Sequence, residues 1–177
     1  MLTKNFYILN VLTHATQAER KPVSLVGWDG GTNMYYYWYN GVGQPVYVWS
    51  SMATVATSAP HDASDFTKVV FGTGDTPPTI NDYNLSGDVI TTLSAICETT
   101  CSINSDAVSM SALYTLTNNG TEEVTIKEVG LGQGFYYSSG LRNSCLVDRT
   151  VLDNPVTIPA GGIGQVKYTI TFNLPTA

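Results

Sequence analysis

Between residues 107 and 172 the chain alternates apolar and polar side chains at the two-residue period of an extended strand, more cleanly than anywhere else. Val108, Met110, Ala112, Tyr114 and Leu116 fall on one side of such a strand, with Ser109, Ser111, Thr115 and Thr117 on the other, and only Leu113 breaks the order. Val166, Tyr168, Ile170 and Phe172 repeat the pattern against Gln165, Lys167, Thr169 and Thr171. Asn118-Asn119-Gly120 supplies residues that tolerate positive φ, which predicts a tight reversal into a strand over 123–129. The stretch reads as one half of a β-sandwich. Its interruption at 130–143 carries Gly130, Gly132, Gly134 and Gly140 around Phe135-Tyr136-Tyr137, and is expected to be a glycine-rich contact loop.

Earlier in the chain the signals are shorter. Residues 1–26 hold two β-like runs, FYILNVL and PVSLV, separated by the polar THATQAERK, which predicts an N-terminal arm with a loop. Asp29-Gly30-Gly31 and Asn40-Gly41 flank the aromatic run Tyr35-Tyr36-Tyr37-Trp38-Tyr39, which predicts an aromatic β-hairpin. Residues 50–65 are small and polar without periodicity and mark the best boundary. The expected organisation is an arm and hairpin region over 1–58 and a sandwich domain over 59–177, or one continuous domain. Within the second part, Val69–Phe71 forms a short strand, and Pro77-Pro78 forbids regular pairing after it. One strand is expected over Val89–Ile96, followed by a loop through CETTCSINSD. The fold class is therefore all-β, an antiparallel β-sandwich of Ig-like or jelly-roll type with an N-terminal arm and an aromatic hairpin.

Composition sharpens this picture. A chain of 177 residues fits one domain, or one domain with a sizeable extension, and buries enough surface for a core without disulfide or metal. Its hydrophobic share of 43% is ordinary, but charged residues are only 12%, against roughly 25% in a typical chain. A polar, weakly charged exterior points to coverage by neighbouring subunits, the other reading being a secreted domain with a neutral surface. The net charge of −6, with no basic run, argues against nucleic-acid binding. Asn10 interrupts the apolar run after Lys4, so a signal peptide is not expected, and no segment approaches the roughly 20 apolar residues of a membrane span. The expectation is a soluble protein made in a cytoplasm.

Candidate chemistry is sparse. Cys97, Cys101 and Cys145 are odd in number, so reduced thiols are expected, with a Cys97–Cys101 disulfide open in an oxidising medium. His61-Asp62 with Asp65 lies in the boundary loop, where adjacent residues do not hold a catalytic geometry. Asp75, Asn81, Asp82 and Asp88 are oxygen-rich but lack the order of a calcium loop, and turn or cap chemistry accounts for them more simply. Gly72-Thr73-Gly74 lacks the third glycine and following helix of a phosphate cradle. No Gly-x-Ser-x-Gly, His-Glu-x-x-His or Walker sequence occurs, so no catalytic, cofactor or metal residue is assigned; a carboxylate pair brought together by the fold is the one enzymatic option left open. Five consecutive aromatics cannot share one side of a strand, so some of Tyr35, Tyr36, Tyr37, Trp38 and Tyr39 must be covered by something else. A subunit interface is favoured, joined by Phe135, Tyr136 and Tyr137. The rival is a sugar-stacking platform of Trp28, Tyr35, Tyr37, Trp38 and Trp49 with Asp29 and Asn33 as hydroxyl partners, binding a surface glycan.

Two groups of residues carry a resemblance. Val70-Phe71-Gly72-Thr73-Gly74, Pro77-Pro78-Thr79, Asp82-Tyr83 and Leu85 form the first. The second is Ile126-Lys127-Glu128-Val129-Gly130-Leu131, Arg149-Thr150-Val151, and Pro155-Val156-Thr157-Ile158-Pro159-Ala160-Gly161 before the last strand. Together they span about residues 69–172 and resemble segments of tailed-bacteriophage virion structural proteins, while the Pro-x-Thr-Ile-Pro-Ala-Gly turn is also similar to many bacterial Ig-like domains. The resemblance implies a capsid-decoration, fibre or tail-associated subunit, partnered by its own copies, a trimer first, and by other virion proteins. Enzymatic relatives, the tailspike depolymerases, are normally much larger chains. The aromatic N-terminal part matches no such pattern.

Overall fold

In a computed structural model, residues 1–6, 22–26, 32–36, 48–49, 69–138 and 141–173 are described, with the backbone alone for 22–49, 133–138 and 141–144. The strands in chain order are β1 (Pro22–Val26), β2 (Thr32–Tyr36), β3 (Val48–Trp49), β4 (Val69–Gly72), β5 (Leu93–Ile103), β6 (Ala107–Asn118), β7 (Val124–Ser138), β8 (Leu141–Ile158) and β9 (Ile163–Asn173). Helical structure among the described residues is confined to 4–6. The protein is nearly all-β and sandwich-like.

One sheet has the order β5-β6-β9, all antiparallel. In the other, β7 is the central strand, with β8 along one side and β4 and β3 along the other, β4 against Glu128–Leu131 and β3 against Gly134 and Phe135. A separate two-stranded sheet pairs β1 with β2. The stretch 107–172 thus spans both layers rather than forming one half, because β6 and β9 belong to one sheet and β7 and β8 to the other.

The core follows from the two-residue period. Ala112, Tyr114, Leu116, Val166 and Tyr168 project from the first sheet and meet Val69, Phe71, Val129, Leu131, Cys145, Val147 and Ile158 from the second. Phe71 and Tyr114 meet edge to face, with ring centres 5.4 Å apart. Asp148, opposite Leu131 in the ladder, is buried and accepts a hydrogen bond from the Tyr168 hydroxyl, which ties the layers together by a polar contact. Past the core the alternating face opens: Met110 and Phe172 are exposed, and Phe172 stacks on Phe6 at 6.0 Å.

Three further sequence expectations are corrected. The strand expected over Val89–Ile96 is displaced, since β5 runs unbroken from Leu93 to Ile103 and only 104–106 form the turn, where the Asn104 carboxamide accepts the N–H groups of Asp106 and Ala107. Threonines and isoleucines suit an extended chain, and pairing with β6 outweighed the polar look of CETTCSIN. The glycine-rich loop at 130–143 is instead the far end of the β7–β8 hairpin, in which Phe135 pairs with Asn143 and Tyr136 with Arg142. Glycine is tolerated there because Gly130 leaves room for Leu85: a Cβ would stand 2.8 Å from its side chain. The reversal at Asn118-Asn119-Gly120 is a crossover between sheets and uses no positive φ, which among the described residues occurs at Gly161 alone. The buried Asn118 carboxamide holds it, accepting from Gly120 N–H at 3.0 Å and donating to the carbonyls of Glu122 at 2.7 Å and Ile158 at 3.2 Å.

Pro155 sits where the β7–β8 register slips between the pairs Ile126–Val156 and Glu128–Val151, a bulge that accommodates a residue without an N–H. Pro159-Ala160-Gly161-Gly162 then forms a turn closed by Gly162 N–H to Pro159 O at 2.9 Å, with Gly161 at φ 68° in the position of a type II turn that favours glycine. Val48–Trp49, expected in the N-terminal region, joins the sandwich through β7. Residues 1–6 do likewise, because Leu2 bridges Asp148 and Thr3 N–H donates to Val147 O at 2.9 Å. The expected early loop 13–21, the boundary segment 50–65 with His61, Asp62 and Asp65, and Trp28, Asp29, Tyr37, Trp38 and Tyr39 lie outside the described residues.

Candidate functional site

The outer side of the β4-β7-β8 sheet carries a charge cluster. Counting along β7, Glu128 and Gly130 face away from the core while Val129 and Leu131 face into it. Across the ladder Gly130 pairs with Arg149, which brings the guanidinium onto Glu128. The chain between β4 and β5, residues 73–92, covers this face: Leu85 packs on Val70 and Leu146, and Ile90 N–H returns to Phe71 O at 2.8 Å. Under that cover Glu128 is 0% and Arg149 2% exposed.

Every charge in the cluster is met. Glu128 Oε1 accepts N–H groups from Gly74 at 3.0 Å and Gly87 at 2.8 Å, and Oε2 accepts Ser86 N–H at 3.1 Å and Arg149 Nε at 2.7 Å. Arg149 Nη1 donates to Asp82 Oδ2 at 2.7 Å, and Nη2 donates to Thr76 O at 2.7 Å and Ser86 Oγ at 2.6 Å. Asp82 also accepts the N–H of Thr79 at 2.9 Å and its hydroxyl at 2.7 Å, the turn chemistry expected of it, without a helix to cap. Backbone must come this close to reach the carboxylate: a Cβ on Gly74 would stand 2.4 Å from Glu128 Oε1, and one on Gly87 2.3 Å from Gly74 N.

The electrostatics are those of a compensated ion group. Burial works against the charge on Glu128, but the N–H groups of Ser86 and Gly87 and the Arg149 guanidinium outweigh it and hold the carboxyl below the ordinary glutamate range. Asp82 is likewise lowered, burial being overcome by Thr79 and Arg149. Arg149 is raised, burial being overcome by the two carboxylates. Through these hydrogen bonds the cluster clamps the 73–92 segment to the sheet.

Of the oxygen-rich set, Asp75 faces Lys127 at 3.0 Å in an exposed pair and Asp82 faces Arg149, so these two carboxylates are turned to different cations. Among the described residues no three His, Cys, Asp or Glu side chains gather as a metal site, and no helix is long and apolar enough to cross a membrane. Cys97 and Cys101 lie on one strand four residues apart, roughly 13 Å at strand rise, which excludes the disulfide left open by sequence. Burial raises the Cys97 thiol, and it pushes Cys145 up to about 12.

The aromatic candidates divide. Asn33, Tyr35 and Tyr36 fall on β2, opposite Leu25, Val23 and Pro22. Phe135, Tyr136 and Tyr137 fall on the end of β7, where β3 sets Val48 opposite Phe135 and Trp49 opposite Gly134. Trp49 and the second aromatic group therefore share one sheet.

The roles of Glu128 and Arg149 do not emerge from the sequence pattern. The available signal was a lone acid in IKEVGL and a lone base in LVDRTVL, each inside an apolar strand, where an unpaired charge is not tolerated. A comparison of the chain with family models, curated proteins and solved structures found no match to any of them.

Proposed function

We propose that the protein is a non-enzymatic structural subunit of a bacteriophage virion, a decoration, fibre or tail-associated part built on an Ig-like or jelly-roll sandwich. The observation that carries the reading is the convergence of the two groups of residues that bear the resemblance. Gly74, Asp82 and Leu85 from the first meet Glu128, Gly130 and Arg149 from the second in one clamp, so the likeness falls on a single three-dimensional unit. Crossings between layers after β4, β6 and β8 support the sandwich type. The clamp's internally satisfied charges and the sparse surface charge support a part that works by shape and association, with its own copies and other virion proteins as partners.

The test is the protein content of purified particles from the phage that encodes the chain. The reading predicts the chain in multiple copies per particle, and its absence from them contradicts it. A host-recognition module for surface glycans is the second reading, favoured by the pairing that puts Trp49 beside Gly134 next to Phe135. Binding of the isolated protein to a glycan array, lost on Trp49→Ala, decides for it.

A further inference from the structure

Two edges of the β5-β6-β9 sheet remain unpaired among the described residues. Both are eleven residues long, both keep an unbroken register with β6, and neither contains a proline or a bulge. Natural sheets blunt long edges with prolines, bulges and charges, because free N–H and C=O groups template pairing with another chain, and here a single charge per edge is the one such device. On the solvent face of β5, Ile96 is 73% exposed; on the same face of β9, Ile163 is 68% exposed. Each edge also carries one charge on that face, Glu98 on β5 and Lys167 on β9. Both stand in the same row of the sheet, since each is the partner of Leu113.

We infer that copies of this chain associate head to tail, the β5 edge of one pairing with the β9 edge of the next, with Glu98 beside Lys167 of the neighbouring copy. Because β5 and β9 are each antiparallel to β6, they run parallel to one another, and rotation about an axis along the strands brings one edge against the other. In this register Ile96 and the neighbour's Ile163 stand on the diagonal, on the same face of the joined sheet. Within one chain the two charges are separated by two strand spacings, roughly 10 Å, so their complementarity is spent between copies. Self-pairing of β5 is disfavoured by its own sequence: Glu98 is the middle residue of Leu93–Ile103, and a full antiparallel pair would set it opposite its own copy. The contact repeats heterologously and therefore closes into a ring or continues as a filament.

This inference rests on the assembly reading above, and charge reversal separates the two. Glu98→Lys and Lys167→Glu are made singly and together in the full chain, folding is checked by far-UV circular dichroism, and association is followed by sedimentation over a concentration series. Each single reversal places like charges together and is expected to weaken association by about tenfold or more, while the double reversal restores it to within a few-fold. Single variants that assemble like the parent, or a double variant no better than the singles, overturn the edge pairing and leave the assembly reading standing. A parent chain that stays monomeric overturns both.

Discussion

Arg149 Nε donates to Glu128 Oε2 across 2.7 Å, with the two side chains 2% and 0% exposed, and this pair fixes the 73–92 segment onto the sheet. Arg149→Met leaves a buried carboxylate held by N–H groups alone and is expected to cost about 3–5 kcal/mol, read as a lowered urea midpoint. Adding Glu128→Gln to that variant should cost less than Glu128→Gln alone, because the residues act as a pair. Strict additivity in the double-mutant cycle contradicts the clamp.

Acid should release the clamp. Glu128 and Asp82 have folded pKa values below their ordinary 4.5 and 3.8, so their contribution is fully present above those values and is lost as pH falls through the lower, folded ones. The urea midpoint should stay level on account of these groups from neutral pH to about 5 and decline below about 4. In Arg149→Met the decline on account of these groups should be shallower, since the guanidinium that depresses both is gone and less stability is tied to their ionisation; identical profiles speak against the coupling.

Two glycines separate steric from conformational cost. Gly87→Ala drives a Cβ to 2.3 Å from Gly74 N and should cost about 1–3 kcal/mol, with faster hydrogen exchange at the Gly74 and Gly87 amides that face Glu128. Gly161→Ala meets no atom within 4 Å but keeps φ at 68°, so it should cost roughly 1–2 kcal/mol without altering exchange at those amides.

Thiol chemistry reports the strand at 93–103. Cys101 is exposed, Cys97 half-buried and Cys145 buried with its thiol at about 12. Alkylation at pH 8 followed by mass spectrometry should label Cys101 first in the folded protein and Cys145 only on unfolding. An oxidised Cys97–Cys101 pair in the folded chain contradicts the extended strand.

The alternating strands were legible because their period is a direct consequence of one face being buried: Tyr114, Leu116, Val166 and Tyr168 lie where the pattern puts them. What was not legible depends on partners distant in sequence. CETTCSIN reads as loop until β6 pairs with it, and Phe135–Tyr137 read as loop until β8 does. Glu128 and Arg149 needed the ladder pair Gly130–Arg149 to bring them together, a register set by bulges that no local pattern announces. Asn118 was read for its backbone tolerance, whereas its carboxamide does the work through hydrogen bonds to Glu122 and Ile158.

The proposed function requires this chain to assemble with its own copies. Light scattering on the eluting 177-residue chain at about 10 μM and above, well inside the range where specific contacts of this kind persist, measures it directly. The expected result is a mass that is a whole multiple of 19.1 kDa and falls on dilution. A single 19.1 kDa species at every concentration contradicts it.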